Sequence, residues 1–305
     1  MDMNVLITGG YGNLGGWLLR HLSLSTDWKI TVLSKNASPA YSKFNHTFIA
    51  CDIANAADVQ SKLDNSYFHT VFHLASVNDS FTEGYDNLAR KVNIQGTAHI
   101  LDAIGDNCKH FIYLSTFQVY GCYSGAISES FPTNPKNTYA QTHLDAEGLV
   151  EKFGIPYSII RLTNSCGCPI DVNTSKWYLI LNDLSRMAFK EKTIRLNGNG
   201  QIERDFIPMQ LVCEIFRELA QLSGTNKTFN LGGQTRSLEQ VAKAVQLAYK
   251  TKFGFCIPIQ APVTTPLDGN LTVDCNKLQS LIPYTIKDEM VSESLAIFQL
   301  LENNA

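Results

Sequence analysis

The chain has 305 residues, of which 44% are hydrophobic and only 17% are charged, and its formal net charge is −3. This length accommodates one large α/β domain with a substrate lobe or two modest domains, and the composition argues against disorder. The sequence has neither a basic run nor an apolar stretch of the roughly 20 residues that a membrane span requires, so it argues against nucleic acid and membranes as partners.

Strand and helix patterns alternate through the first half of the chain. Short apolar runs rich in β-branched residues predict strands, and the amphipathic stretches between them predict helices. The predicted strands are Val5–Thr8, Lys29–Ser34, His46–Ala50, Thr70–Ala75, His110–Ser115 and Tyr157–Leu162, and the predicted helices are Gly15–Ser23, Asn87–Ile104 and Thr138–Lys152. Apolar strands separated by helices indicate a parallel sheet that is covered on both faces.

The alternation becomes less regular after Asn164. The predicted helices are Lys176–Phe189, Gln210–Leu222 and Leu238–Tyr249, the short strands are Thr193–Leu196, Asp205–Ile207 and Phe229–Leu231, and Pro258–Pro266 is a proline-bearing loop. No low-complexity linker separates the two halves. We therefore expect residues 166–305 to form a smaller lobe that is interleaved with residues 1–165, not a domain on a tether.

A glycine-rich loop follows the first predicted strand. The sequence Leu6-Ile-Thr-Gly-Gly-Tyr-Gly-Asn-Leu-Gly15 has the strand, glycine loop and helix of a dinucleotide-binding site. Glycine allows positive φ and a close approach of the backbone to phosphate, and the helix N-terminus presents free N–H groups to the anion. We expect the pyrophosphate to bind at Gly9, Gly12, Asn13, Leu14 and Gly15. A tight turn without a ligand is the alternative.

The ends of the second and third strands bear on which dinucleotide binds. An acidic residue after the second strand would bind the 2′-hydroxyl of NAD, but the sequence has Ser34 and Lys35, which suit a 2′-phosphate. This favours NADP slightly over NAD, unless Lys35 is only a solvated cation. Asp52 and Ile53 suit the adenine amino group and ring, although Asp52 could equally cap the next helix.

The cysteines and the N-terminus bear on the compartment. Eight cysteines are scattered without a C-x-x-C pair, and no histidine lies at metal spacing from Cys166 or Cys168. We therefore expect free thiols and no metal site. The first predicted strand begins too early to leave room for a signal peptide, so the sequence predicts a cytoplasmic protein.

Nine short motifs run in order through most of the chain. They are Thr8-Gly-Gly-Tyr-Gly-Asn-Leu-Gly15, Asp52-Ile53, Phe72-His-Leu-Ala75, Val92-Asn-Ile-Gln-Gly-Thr97, Leu114-Ser-Thr-Phe-Gln-Val-Tyr-Gly121, Tyr139-Ala-Gln-Thr-His143, Arg161-Leu-Thr-Asn-Ser-Cys-Gly167, Arg204-Asp-Phe-Ile207 and Phe229-Asn-Leu-Gly-Gly233. In this order they resemble the extended short-chain dehydrogenase/reductases, specifically the NAD-dependent epimerase/dehydratase family that acts on nucleotide sugars. The resemblance implies a Rossmann-type doubly wound parallel sheet with a smaller C-terminal α/β substrate lobe.

The resemblance also implies roles for matching residues. Thr116 matches the Ser/Thr that hydrogen-bonds the sugar, and Tyr139 matches the residue that transfers a proton during hydride transfer at a sugar carbon. Further matches are Leu74, Ala75 and Asn93 in the cofactor site, and Asn164 and Arg204 in the nucleotide-sugar site. A tyrosine can act as base if its pKa falls from about 10 toward 7.

His143 stands where the family has a lysine, four residues after Tyr139. On a helix it shares a face with Tyr139, and it could keep the hydrogen bond to the cofactor ribose but not the permanent charge. Three readings follow: a functional replacement in a slower enzyme, a specialised reaction with an altered proton path, or a chain that binds dinucleotide without turnover. The last would be a sensor or a partner-binding protein, and the retention of Thr116 and Tyr139 weighs against it.

The residues after Thr116 narrow the reaction. Sugar 4,6-dehydratases and decarboxylases of the family carry carboxylates there, whereas this chain has Phe117 and Gln118 at the expected substrate site. The sequence therefore favours epimerisation at C4 or reduction of a keto sugar. The predicted helices Asn87–Ile104 and Thr138–Lys152 resemble the pair through which family members form homodimers, so we expect a homodimer.

Overall fold

The structure is a computed structural model that describes residues 3–78, 83–198, 200–262 and 270–304. Its strands are β1 (Asn4–Thr8), β2 (Lys29–Ser34), β3 (Thr47–Ala50), β4 (Phe68–His73), β5 (Cys108–Thr116), β6 (Ala126–Ile127), β7 (Tyr157–Leu162), β8 (Asn164–Cys166), β9 (Ile194–Arg195), β10 (Glu203–Pro208), β11 (Lys227–Leu231), β12 (Gln234–Ser237), β13 (Ile259–Gln260) and β14 (Thr272–Val273). Its helices are α1 (Asn13–Ser25), α2 (Ala56–Leu63), α3 (Tyr85–Ala89), α4 (Thr97–Ile104), α5 (Thr138–Phe153), α6 (Ile180–Glu191), α7 (Met209–Ala220), α8 (Leu238–Phe253), α9 (Asn276–Gln279) and α10 (Met290–Glu302).

Seven parallel strands form the central sheet in the order β11-β7-β5-β4-β1-β2-β3. This order is that of a Rossmann-type sheet, which confirms the predicted fold class. Successive side chains of a strand point to opposite faces, and each face of this sheet is buried. In β1, Val5 and Ile7 belong to one apolar cluster, and Leu6 between them belongs to another.

Helices cover both faces of the sheet. The cluster that contains Val5 and Ile7 takes in side chains of α1 and α7, and the cluster that contains Leu6 takes in side chains of α2, α4 and α5. A third cluster joins α6, α8 and α10. Since α7 and β11 follow residue 166 in the chain, the second half of the sequence supplies both a face helix and an edge strand of the sheet.

Smaller sheets complete the second half. Strands β12, β10 and β8 form one sheet, β13 pairs with β9, and β14 pairs with β6. Strands β10 and β8 are parallel, and Phe206 of β10 lies opposite Asn164 of β8. Since β8 directly follows β7, this pair lies beside the carboxyl end of the central sheet. Among the described residues no helix is both long and apolar enough to cross a membrane.

The predicted elements differ from the structure at several helices, and the short strands β6, β8, β12, β13 and β14 were not predicted. The predicted helix Asn87–Ile104 runs from α3 to α4 through a π-helical segment, Arg90–Gly96. The predicted helix Lys176–Phe189 is a short 3₁₀ turn, Lys176–Tyr178, followed by α6, because Leu179 has an extended backbone. Helix α10 was not predicted. The predicted loop Pro258–Pro266 contains the two-residue strand β13, which pairs with β9, and its last four residues lie outside the described residues.

Candidate active site

A cavity of about 730 Å³ opens at the carboxyl ends of β1, β4 and β5. The strand order reverses between β1 and β4, and ligands of doubly wound sheets bind at such a switch point. The volume is that of a typical small-molecule site. Its wall includes the glycine loop after β1, Leu74 after β4, Thr116 at the end of β5 and Tyr139 in the first turn of α5.

The glycine loop is tightly folded against its neighbours. Gly9 has a φ of +67°, and a Cβ atom there would lie 2.7 Å from the Cα of Ala75. A Cβ on Gly15 would collide with the carbonyl oxygen of Gly9. Helix α1 begins at Asn13 without a side-chain cap, so its first N–H groups have no capping partner from Gly12. This cradle of bare backbone and a helix N-terminus fits a dinucleotide pyrophosphate.

About half of the predicted site residues line the cavity. Those that line it are Gly9, Gly12, Asn13, Leu14, Gly15, Leu74, Thr116, Gln118, Tyr139 and Asn164. The other predicted residues, which do not belong to its wall, are Ser34, Lys35, Asp52, Ile53, Ala75, Asn93, Phe117, His143 and Arg204.

Lys35 and Asp52 form an ion pair outside the cavity. The Lys35 Nζ lies 2.9 Å from the Asp52 Oδ2, and the lysine side chain is 66% exposed. Burial alone would raise the pKa of Asp52, but hydrogen bonds from Lys35 and from the Ala54 backbone N–H lower it. Ser34 ends β2 beside this pair. The predicted cation for a 2′-phosphate is therefore held next to a carboxylate.

Thr116 and Tyr139 lie close together on the cavity wall. The side-chain hydroxyl of Thr116 also accepts a 3.3 Å hydrogen bond from the Gln118 backbone N–H, which fixes the turn after β5. Burial raises the pKa of Tyr139 to about 12, the hydrogen bond with Thr116 opposes that rise, and Tyr85 adds to it. The two hydroxyls can therefore take part in proton transfer. With its pKa raised to about 12, however, the Tyr139 hydroxyl keeps its proton near neutral pH.

His143 lies behind Tyr139 and is 2% exposed. Its Nδ1 is 3.0 Å from the hydroxyl of Tyr113, and its Nε2 has no hydrogen-bond partner among the described residues. Burial lowers the pKa of His143 to about 4, and the backbone of Leu114 opposes that shift only in part. The side chain at position 143 is therefore a neutral imidazole.

The predicted substrate contacts fall into different surroundings. Phe117 is 4% exposed and packs against Tyr120 in a small apolar cluster, whereas Gln118 lines the cavity and accepts a 3.2 Å hydrogen bond from Asn137. The guanidinium of Arg204 is stacked over the ring of Tyr123 at 4.4 Å. Neither Phe117 nor Gln118 carries an ionisable group.

Asn93 connects a loop of the site to a neighbouring helix. It lies in the π-helical segment, where its Oδ1 accepts a 2.9 Å hydrogen bond from the Val77 N–H and its Nδ2 donates to Thr142 of α5 at 3.0 Å. Behind it, His73 of β4 bonds through both ring nitrogens, to Thr8 and to Thr97, each at 2.9 Å. Predicted from the resemblance as a residue that shapes the cofactor site, Asn93 connects the loop after β4 to α5.

Some wall residues that the sequence did not single out come from the loop after β4 and from the turn before α6. Asn78 accepts hydrogen bonds from Lys176 and, at 2.8 Å, from Tyr178, so the loop after β4 is bonded to the turn before α6. Among the described wall residues, Lys176 and Asp86 are the charged ones. The stretch Lys176-Trp-Tyr178 belongs to none of the nine motifs, and only the fold brings it to the cavity.

Comparison with known proteins adds to this geometry. The model of the NAD dependent epimerase/dehydratase family matches residues 5–232. A trifunctional UDP-glucose 4,6-dehydratase, 3,5-epimerase and reductase of Arabidopsis thaliana is 29% identical over 250 residues, which are 75% of this chain and 37% of that protein. An uncharacterized UDP-glucose epimerase of Bacillus subtilis, YtcB, is 27% identical over 321 aligned positions, 95% of this chain and 96% of that protein.

Solved structures share the fold over the full chain. A UDP-glucuronic acid 4-epimerase from Bacillus cereus, in complex with UDP-glucuronic acid and NAD, superposes with a TM-score of 0.82 and is 21% identical, covering 99% of this chain and 100% of that one. The chain spans 37% to 39% of the length of the first three curated relatives that it matches.

Proposed function

Because the chain belongs to the NAD dependent epimerase/dehydratase family, we propose that it transfers hydride at a carbon of a nucleotide sugar, with C4 favoured. The observation that carries the proposal is that Thr116 and Tyr139 lie on the wall of the same cavity as the glycine loop, with the Thr116 hydroxyl close enough to act on the pKa of Tyr139. Residues 1–165 would hold the dinucleotide, and residues 166–305 would supply most of the substrate lobe. The enzyme acts on the sugar between these two parts.

Tyr139 acts as the proton acceptor when the sugar is oxidised and as the donor when it is reduced. Thr116 holds the reacting oxygen beside the phenol and stabilises the phenolate by donating a hydrogen bond. A bound nicotinamide dinucleotide supplies the hydride acceptor or donor and, when oxidised, a positive charge that favours the phenolate. The neutral ring of His143 adds no permanent charge to this surrounding, so the chain's own residues activate Tyr139 weakly.

Elimination of water is the disfavoured reaction. A 4,6-dehydratase needs an acid and a base beside the sugar, and the two residues after Thr116 are a buried phenylalanine and an amide. Epimerisation at C4 and reduction of a keto sugar need only hydride transfer with Thr116 and Tyr139. Beside several 4,6-dehydratases, the curated relatives include an uncharacterized UDP-glucose epimerase and a GDP-6-deoxy-D-talose 4-dehydrogenase, which fit these two reactions.

The cofactor is a nicotinamide dinucleotide, and solved neighbours of the same fold hold NAD. Ser34 and Lys35 favour NADP, but Asp52 engages Lys35 in an ion pair. A 2′-phosphate would have to share Lys35 with this carboxylate. We therefore propose that the site accepts both dinucleotides and that the preference for NADP is small.

His143 also supports a second candidate. A neutral residue at the lysine position suits a protein that binds dinucleotide as a sensor or a partner-binding module and no longer turns sugars over. The presence of both Thr116 and Tyr139 on the cavity wall argues against this, because a sensor has no chemical need for either hydroxyl.

One experiment distinguishes the two. Cofactor released from the purified protein is identified, and the protein is then assayed with a panel of nucleotide sugars and keto sugars. Turnover of any of them, lost by at least a hundredfold in Tyr139→Phe while dinucleotide still binds, supports the enzyme. Binding of dinucleotide without turnover, together with activity gained in His143→Lys, supports the sensor instead.

We further propose a homodimer that forms through the helical stretch from α3 to α4 and through α5. The exposed Leu88 of α3 and the half-buried Leu144 and Leu149 of α5 support an apolar contact there. Sedimentation at micromolar concentration should give twice the mass of 33.9 kDa. A monomer under these conditions would contradict the proposal.

A further inference from the structure

The two ring nitrogens of His143 have different surroundings. Nδ1 lies 3.0 Å from the hydroxyl of Tyr113, while Nε2 is buried and lacks a hydrogen-bond partner in the described part of the chain. Both side chains are almost completely buried, at 2% exposure each. The ring is neutral near pH 7, since burial lowers the pKa of His143 to about 4. A neutral imidazole carries one proton and one lone pair, so its tautomer has to be assigned.

Tyr113 decides that assignment. Within the described residues, the only hydrogen bond of its hydroxyl is the one with Nδ1. If Nδ1 carried the proton, the proton of Tyr113 would have no acceptor and Nε2 would have no donor. If Tyr113 donates to Nδ1, the tyrosine proton and Nδ1 are both satisfied, and Nε2–H is the single donor left over. Buried polar groups are rarely left unpaired, so the second arrangement is favoured.

The tyrosine itself has little freedom to move. Its ring is stacked on that of His73 with centroids 5.9 Å apart, and His73 is tied through both nitrogens to Thr8 and Thr97. In the sheet, Tyr113 of β5 lies directly beside His73 of β4. The hydroxyl that faces His143 is thus held by two neighbouring strands of the central sheet.

The leftover donor belongs to a residue next to the cavity. His143 lies one helical turn after Tyr139, and the two rings meet edge to face with centroids 4.6 Å apart. Tyr139 and Leu114 both line the cavity. The backbone of Leu114 is close enough to His143 to oppose the lowering of its pKa. A ligand that fills the cavity at this point would bring acceptor oxygens toward the buried N–H.

We propose that Tyr113 is a positioning residue: its hydroxyl holds His143 as the Nε2–H tautomer and so reserves that N–H for a sugar hydroxyl of the bound dinucleotide. The inference rests on the proposed function, because it needs a dinucleotide in the cavity. Tyr113 itself touches neither the cofactor nor the sugar. Its effect passes through His143 alone.

The tautomer can be measured without any ligand. In protein labelled with ¹⁵N at histidine, the ring nitrogens of His143 should show a protonated Nε2 and an unprotonated Nδ1 near neutral pH. Tyr113→Phe removes only the hydroxyl and should shift both nitrogens toward a mixture of tautomers. The wild-type spectrum alone is decisive if the variant does not fold, since a protonated Nδ1 would overturn the assignment.

Dinucleotide affinity tests the second half of the proposal. By calorimetry, Tyr113→Phe should weaken binding by about fivefold, the effect of one neutral hydrogen bond. In the His143→Lys background the same change should have no effect, because an ammonium needs no tautomer to be set. Ser158→Ala is the matched control: it removes the partner of His110, another buried histidine with an unpaired nitrogen, in a residue outside the cavity wall. It should leave the affinity unchanged.

The outcomes separate this inference from the proposed function. If wild-type protein binds dinucleotide and Tyr113→Phe binds it equally well, the role of Tyr113 is wrong and the proposed function stands. If Tyr113→Phe weakens binding equally in the His143→Lys background, the effect does not pass through His143 and the inference is overturned. If wild-type protein binds no dinucleotide, the proposed function fails, and the spectrum still reports the tautomer.

Discussion

The ring of His143 meets the ring of Tyr139 edge to face, with centroids 4.6 Å apart at an interplanar angle of 69°. The two residues are one turn apart on α5, and Asn137 caps the start of that helix by accepting a 2.8 Å hydrogen bond from the Ala140 N–H. Little water separates the side chain at position 143 from Tyr139. A charge at position 143 would therefore have a strong effect on the pKa of Tyr139.

Replacing His143 by lysine should move the rising limb of the pH–rate profile, on which Tyr139 loses its proton, toward lower pH. Tyr139 must be a phenolate to accept the proton of the sugar hydroxyl, so the rate of oxidation rises with pH up to its pKa. Burial raises that pKa to about 12. A cation within one helical turn favours the phenolate, and we expect a shift of the limb by about 1 to 3 pH units.

His143→Gln is the matched control for this change, because it keeps a neutral donor and adds no charge. Profiles of kcat/KM against pH for both variants decide the matter. A lysine variant whose limb coincides with that of the glutamine variant would show that position 143 does not act on Tyr139 through charge.

Substituting Gly15 by alanine should abolish dinucleotide binding. The new Cβ would collide with the Gly9 carbonyl and lie 2.8 Å from the Cα of Gly10, so the loop must open. We expect a loss of at least a hundredfold in affinity by calorimetry and a decrease of about 1–3 kcal/mol in the free energy of unfolding. Gly198→Ala, where the Cβ meets no atom within 4 Å, should bind normally. Equal affinities in the two variants would rule out this loop as the phosphate site.

Lys35→Ala should weaken the binding of NADP more than that of NAD. The lysine is exposed, so its attraction for a 2′-phosphate is screened and we expect a loss of about threefold to tenfold for NADP alone. Asp52→Asn frees Lys35 from its carboxylate partner and should strengthen NADP binding by a similar factor. Titration of both variants with both dinucleotides is the measurement. A loss that is the same for NAD and NADP would show that Lys35 does not contact the 2′ position.

The stability of the protein should fall as the pH is lowered from about 6.5 toward 4. Burial lowers the pKa of His73 to about 3, and it lowers the pKa of His110 and of His143 to about 4. Unfolded histidines titrate near 6.5, so in this window the unfolded state binds more protons and acid favours it. Above pH 6.5 these histidines are neutral in both the folded and the unfolded state, so they no longer make the stability depend on pH.

Each such histidine contributes up to about 1.4 kcal/mol per pH unit, so between pH 7 and pH 5.5 the free energy of unfolding should fall by about 3–4 kcal/mol. Urea unfolding at several pH values measures this. His110→Gln, which retains a group that can bond to Ser158, should lose about a third of the pH dependence. An unchanged slope would mean that His110 is not neutral in the folded protein.

The sequence by itself predicted the sheet and the glycine loop, and its resemblance to a known family supplied the candidate pair Thr116 and Tyr139. The sheet and the loop depend on local pattern, because apolar strands and glycines that accept a close backbone approach can be recognised within short stretches. The fold confirms the parallel sheet, with β2 and β7 at their predicted bounds. Helix α10 was not predicted, and the structure packs it against α6 and α8 in the third apolar cluster.

Only the tertiary structure decided what surrounds the candidate residues. Lys35 is read from the sequence as a free cation, but β2 and β3 bring Asp52 to 2.9 Å from it. The sequence predicts that His143 shares a helix face with Tyr139. Its burial, its hydrogen bond with Tyr113 and the lack of a partner for Nε2 among the described residues depend on how α5 packs on β5. Protonation states and hydrogen-bond partners depend on atoms that are distant in sequence, so they follow from the packing of the whole chain.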